Sequence, residues 1–201
     1  MELYLVRHGE TIWNQEKRYY GHSDVELAPS GYQQAEELGT YFKKIKFDEV
    51  IVSPLIRAKE TAKALTNQSF FLEPRLMEQN FGLFEGKTYQ QLQREYPKEL
   101  KEWNQDWQEY CLPEGESFHM VRNRVEDFSK ELWNKEGKIL LVAHKGTFGH
   151  LMASLLNMPL SGYWNFVFEQ NCYSRIDLED GFAIVRCLNG HPCQFIHNIQ
   201  E

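Results

Sequence analysis

The sequence has no long apolar run. No uncharged hydrophobic stretch among its 201 residues is long enough to span a bilayer. The opening MELYLVRHGE lacks the basic start, apolar run and cleavage site of a signal peptide. Cysteine is scarce: Cys111, Cys172, Cys187 and Cys193 form no CxxC pair, and scattered reduced thiols in a cytoplasmic protein are expected. Positive charge is in deficit, with 22 Lys and Arg against 29 Asp and Glu and a net charge of −7. That balance argues against a nucleic-acid partner, and no block of like charge reads as a tail or a membrane-binding stripe. His119, His150, His191 and His197 show no ligand spacing such as HExxH, so neither a catalytic metal nor a cofactor is expected. Internal repeats and low-complexity linkers are also missing, which leaves one domain over residues 1–201.

What is present alternates between short apolar strands and amphipathic helices. ELYLV (2–6) is rich in β-formers and apolar on both faces, as a central parallel strand must be. GYQQAEELGTYFKKI (31–45) places Ala35, Leu38, Phe42 and Ile45 at helical spacing. DEVIVS (48–53) predicts a strand, LIRAKETAKAL (55–65) a helix and QSFFLE (68–73) a short third strand. Residues 82–115 are polar and aromatic, with Tyr89, Tyr96, Trp103, Trp107 and Tyr110, and read as a helical lid insertion. A helix over 118–135, a strand over 138–144 and a helix over 146–157 follow, then two strands near 171–178 and 182–188 joined across EDG. The alternation predicts an α/β fold: a three-layer α/β/α arrangement around a mostly parallel sheet.

Three junctions in this pattern carry chemistry. YLVRHG and LLVAHKG are both apolar strands that end in a histidine with a glycine within two residues, and VIVSPLIRA leads through a Ser-Pro turn to Arg57. Ligands of open α/β sheets collect outside the carboxyl ends of the strands. Arg7 with His8, Arg57, and His144 therefore meet in one region. Guanidinium forks suit bidentate contact with phosphate, helix N-termini add backbone N–H groups, and Asn14 offers a neutral donor. Within such a pocket a neutral imidazole can attack phosphorus through one nitrogen while the other fixes the tautomer. Positive charge from Arg7 and Arg57, and from His144 if protonated, would offset the equatorial oxygens. The leaving alkoxide needs a proton, for which Glu78 and Glu85 are both candidates.

Six stretches in order, LVRHGETIWN, GHSDVELAPSGYQQAEELG, SPLIRAKETA, LMEQNFGLFEGKT, GESF and LLVAHKG, make the chain resemble the histidine phosphatase superfamily along nearly its whole length. That resemblance implies a phosphoglycerate-mutase-like fold, with His8 as the phosphorylated nucleophile and Arg7, Asn14, Arg57 and His144 around the phosphoryl group. It assigns the proton donor to Glu78 and leaves Glu85 structural. The chain departs from the family pattern at Lys145, where small residues are common, and at Ala28, where a threonine commonly caps the first long helix; Ser30 is then expected to cap one turn later. Gly21, His22 and Lys145 are candidate substrate contacts.

The resemblance implies hydrolysis of a small phosphorylated metabolite. A phosphoglycerate mutase needs extra cations over the substrate carboxylate, whereas Lys87, Arg94, Lys98 and Lys101 alternate with acids as solvated helix faces do. Small broad-specificity phosphatases of the PhoE kind and α-ribazole phosphatases are the nearest types, and the sequence does not choose between them. The remaining alternative is a non-catalytic phosphate-binding module, which would be expected to have lost one of these groups.

Overall fold

The computed structural model describes residues 1–191, so Cys193 and His197 lie outside the described residues. Its sheet is built from β1 (Glu2–Arg7), β2 (Glu49–Val52), β3 (Phe71–Leu72), β4 (Lys138–Ala143), β5 (Tyr173–Glu179) and β6 (Phe182–Gly190), in the order β3-β2-β4-β1-β5-β6. Strands β1 to β4 run parallel, β5 runs against β1, and β6 runs against β5. The last two strands form a hairpin whose turn residues Asp180 and Gly181 have φ of 49° and 81°, the doubly left-handed geometry that matches strand twist in a two-residue turn.

Side chains on β1 and β4 alternate between two cores, as the strand period requires. Leu3, Leu5, Ile139 and Leu141 face α6 (Phe118–Leu132) and α7 (Lys145–Leu155), where Val121, Val125, Phe128, Phe148, Leu151 and Met152 bury them. Tyr4, Val6, Leu140 and Val142 face α2 (Pro29–Phe42) and α3 (Ile56–Leu65), against Leu38, Phe42, Ala58, Ala62 and Leu65. Helices therefore cover both faces, in the expected three layers.

Several boundaries differ from the sequence pattern. Helix α2 begins at Pro29, whose fixed φ suits the first helical position. Ser30 does not cap it: its hydroxyl donates to Glu10 Oε2 at 2.7 Å, and the Ala28 N-cap makes no side-chain bond. The third strand shrinks to two exposed residues at the sheet edge. A four-residue helix, α1 (Ile12–Gln15), lies in the loop after β1, closed by a capping box between Thr11 and Asn14. Its pattern is too short to show as periodicity.

Residues 82–115 form α4 (Tyr89–Glu95) and α5 (Pro97–Gln105) around a small core of Phe84, Leu92, Leu100 and Leu112. Tyr96, Trp103 and Tyr110 pack on that core, together with Tyr19 and Phe81 from outside the helices. Among the described residues Cys111, Cys172 and Cys187 are free thiols. No helix among them is long and apolar enough to cross a membrane.

Candidate active site

Strands β1, β2 and β4 are neighbours, so their carboxyl ends open on one side of the sheet. The ladder continues one step past β1 and β2, with His8 N–H donating to Ala143 O and Ser53 N–H to Val142 O, each at 3.0 Å. This holds the residues after each strand in register. The cavity above them has a volume of about 450 Å³ and is lined by Arg7, His8, Asn14, Arg57, Glu78 and Lys145, among others.

His8 is 4% exposed, and its Nδ1 lies 2.8 Å from the Gly9 carbonyl. A carbonyl can only accept, so Nδ1 carries the ring proton and Nε2 keeps a lone pair. Burial, then Arg57 and Arg7, hold the imidazole well below its ordinary pKa, against a small opposing effect of the Gly9 bond. The ring is therefore neutral and nucleophilic at neutral pH. Gly9 N–H donates to Thr61 Oγ1 at 3.0 Å, which anchors the turn to α3.

Arg57 is fully buried and donates to Ser23 O at 2.9 Å and Gly21 O at 2.7 Å, with its guanidinium over the Tyr20 ring at 4.6 Å. Arg7 donates to Phe168 O at 2.9 Å. Burial draws both guanidinium groups below their usual pKa, yet arginine stays charged in proteins. Asn14 Oδ1 accepts from Thr11 and from Gln170 Nε2, which leaves the Nδ2 end of the amide as the donor available on this pocket-lining residue.

His144 lies at the end of β4, fully buried, with its ring centroid 5.1 Å from that of His8 and Nε2 2.7 Å from Ser53 Oγ. Burial first, then Arg57 and His8, push its pKa well down. The condition that His144 be protonated is therefore not favoured: a positive imidazole buried beside two guanidinium groups is costly, and the ring is neutral. Arg7 Nε, Arg57 Nε and His144 Nδ1 are all buried without a hydrogen-bond partner among the described residues.

Glu78 reaches this region from the loop after a single 3₁₀ turn at Pro74–Leu76. Its carboxylate accepts from Gln79 N–H at 3.0 Å and Gly146 N–H at 2.9 Å, one bond on each oxygen. Each oxygen retains a lone-pair direction for a proton. Glu85 instead accepts from the amides of Gly21, His22, Ser23 and Phe81. That carboxylate pins the loop whose carbonyls hold Arg57.

The candidate substrate contacts divide. Lys145 lines the cavity at the start of α7, exposed and without an ion pair among the described residues. Gly21 is buried behind Arg57, and His22 Nε2 lies 3.8 Å from Glu116 Oε2; neither lines the cavity. The lid aromatics singled out in the sequence do not line it either. Its walls come from Tyr19, Tyr20 and Phe81 and from His150, Tyr163 and Trp164. Phe118, His150, Tyr163 and Trp164 form one ring cluster, with centroid separations of 4.3 to 6.2 Å. None of these wall residues sits in a strand-end motif, and only their aromatic character in the sequence hints at the role. No group of three or more His, Cys, Asp or Glu among the described residues is placed to hold a metal ion.

Residues 3–190 match the model of the histidine phosphatase superfamily, branch 1. The adenosylcobalamin/α-ribazole phosphatase of Salmonella typhimurium is 37% identical over 94% of this chain and 96% of its own length. Phosphoserine phosphatase 1 of Hydrogenobacter thermophilus is 30% identical over 94% of this chain and 92% of its own. The crystal structure of the α-ribazole phosphatase from Shigella flexneri superposes with a TM-score of 0.89, at 35% identity, over 94% of this chain and 96% of that one.

Proposed function

The chain belongs to the histidine phosphatase superfamily and is a metal-independent phosphomonoesterase; from that premise we propose how its residues divide the work. His8 Nε2 attacks phosphorus in line and forms the N–P bond as the ester P–O bond breaks. Arg7, Arg57, Asn14 and His144 hold the equatorial oxygens, where charge accumulates. Glu78 gives its proton to the departing alkoxide. Water then attacks the phosphohistidine, Glu78 takes the proton from that water, and orthophosphate leaves with His8 restored. One observation supports this reading: Arg7 Nε, Arg57 Nε and His144 Nδ1 are buried without a partner among the described residues, Arg7 and Arg57 line the cavity with His8, and the Nδ1 of His8 is tied to Gly9.

The substrate is a small phosphorylated metabolite with a ring in its leaving group. The aromatic walls of the cavity support this, as does the activity named for the α-ribazole phosphatase relatives. Residues 82–115 serve as the lid, since the core of that segment backs Tyr19 and Phe81 of the pocket wall. The test compares α-ribazole 5′-phosphate, p-nitrophenyl phosphate and 3-phosphoglycerate, following free phosphate and 2-phosphoglycerate. Phosphate release that is fastest from α-ribazole phosphate and abolished in His8→Ala is expected. Isomer without free phosphate would replace hydrolysis by mutase chemistry, and hydrolysis of 3-phosphoglycerate as fast as that of α-ribazole 5′-phosphate would remove the ring preference.

A further inference from the structure

Ser53 follows β2 and is fully buried, and its hydroxyl lies 2.7 Å from His144 Nε2. A hydroxyl carries one hydrogen and two lone pairs; a neutral imidazole carries one N–H and one lone pair. Two proton arrangements can fill this contact. If Nε2 donates, the hydroxyl hydrogen needs another acceptor. Among the described residues the only other group within range of Ser53 Oγ is the Leu55 amide at 3.5 Å, itself a donor. If the hydroxyl donates, its hydrogen is used, Leu55 N–H faces a free lone pair, and the imidazole proton moves to Nδ1. That nitrogen is buried and unpartnered among the described residues, in a ring whose centroid lies 5.1 Å from that of His8.

We propose that Ser53 is a positioning residue: by donating to His144 Nε2 it fixes the proton on Nδ1, where the neutral ring donates a hydrogen bond to the transferring phosphoryl group. This rests on the reading of His144 as a phosphoryl ligand. The opposite tautomer would present a lone pair to the phosphoryl oxygens and repel them. His8 and His144 thus both carry their proton on Nδ1, but at His8 it is consumed by the Gly9 carbonyl and at His144 it is offered to substrate. Each ring takes its role from the one fixed bond made by a neighbour.

The tautomer is read directly by nitrogen NMR of the full-length enzyme, with the His144 signals identified by their loss in His144→Gln. Protonated Nδ1 and unprotonated Nε2 are expected, and an Nε2–H signal in the wild type overturns the proposal without any variant. Ser53→Ala should mix the tautomers and lower kcat/KM for p-nitrophenyl phosphate by about tenfold, the worth of one hydrogen bond to a developing charge. Inhibition by inorganic phosphate should weaken by a similar factor. Unchanged tautomer in Ser53→Ala overturns the proposal whether or not the rate falls, because a rate loss alone would make Ser53 a packing residue. The tautomer needs no turnover, so a chain that hydrolysed no ester would refute the functional reading while the NMR result still judged this one.

Discussion

Gly146 and Glu78 are fitted to each other: the Gly146 amide donates to Oε2 at 2.9 Å, and a Cβ at position 146 would collide with Oε1. The first turn of α7 therefore fixes where the Glu78 carboxyl stands, the acid of the proposed mechanism. Gly146→Ala should displace Glu78 and lower kcat on alkyl phosphates by roughly the factor that general-acid catalysis supplies, on the order of 100-fold. With p-nitrophenyl phosphate, whose leaving group needs little protonation, the loss should be much smaller. Parallel kinetics on the two esters check this, and equal losses would mean that Glu78 is not the acid.

On the proposed mechanism the depressed pKa of His8 should set the acid limb of the rate. An ordinary imidazole loses its lone pair to a proton below about 6.5, whereas burial and two guanidinium groups keep His8 unprotonated to lower pH. The limb of kcat/KM that reports the nucleophile should lie clearly below 6.5. Arg57→Ala removes one of those cations and should move that limb upward while raising the inhibition constant of orthophosphate; a pH–rate series on both proteins tests the pair of effects.

Stability should follow the same groups. His8, His144 and His150 are all held below the ordinary imidazole value, His150 at about 3, chiefly by burial. As the pH falls through about 6.5 the unfolded chain binds protons there that the folded chain refuses, so stability is full above that pH and lost below it. Tm should drop steadily from pH 7 to pH 5, and His150→Leu should flatten the slope. Calorimetry across that range is the measurement.

Glu85 is expected to matter for substrate affinity without touching substrate. It gathers four amides from residues 21–23 and 81, and the Gly21 and Ser23 carbonyls in turn hold Arg57. Glu85→Ala should cost about 2–3 kcal/mol of stability, as for charge-assisted bonds whose donors are left unpaired, and should raise KM more than it lowers kcat.

Lys145 is exposed and unpaired among the described residues at the cavity wall. Its field should draw dianionic substrate toward the pocket, a contribution that salt screens. Lys145→Met should therefore lower kcat/KM a few-fold at low ionic strength and little at high ionic strength.

The sheet and the meeting of Arg7, His8, Arg57 and His144 at its strand ends were legible because they obey short rules. ELYLV and KILLVA are apolar on both faces, as only central parallel strands need to be, and Arg7, His8 and His144 fall at their ends. The pocket walls were not legible. Tyr163 and Trp164 sit in a 3₁₀ segment, Leu160–Asn165, with no periodic signature, and His150 reads in sequence as one more residue of α7. The neutral state of His144 was hidden as well, because it follows first from burial and then from charges such as Arg57 that meet it only in three dimensions. Ser30 shows the same limit at the local scale: its hydroxyl turned to Glu10, a partner 20 residues away, instead of to the helix it heads.

The strand order also bears on how the molecule comes into being. His8 and His144 lie at the ends of β1 and β4, which pair directly although residues 8–137 separate Arg7 from Lys138. Closing so long a loop is entropically slow and rewarded only when the partner strand arrives. No sub-fragment that lacks either strand can assemble the two imidazoles. During refolding, phosphatase activity should therefore appear last, in step with the final tertiary signal and behind helix formation. The enzyme's own turnover is thus a clock for the completion of its sheet.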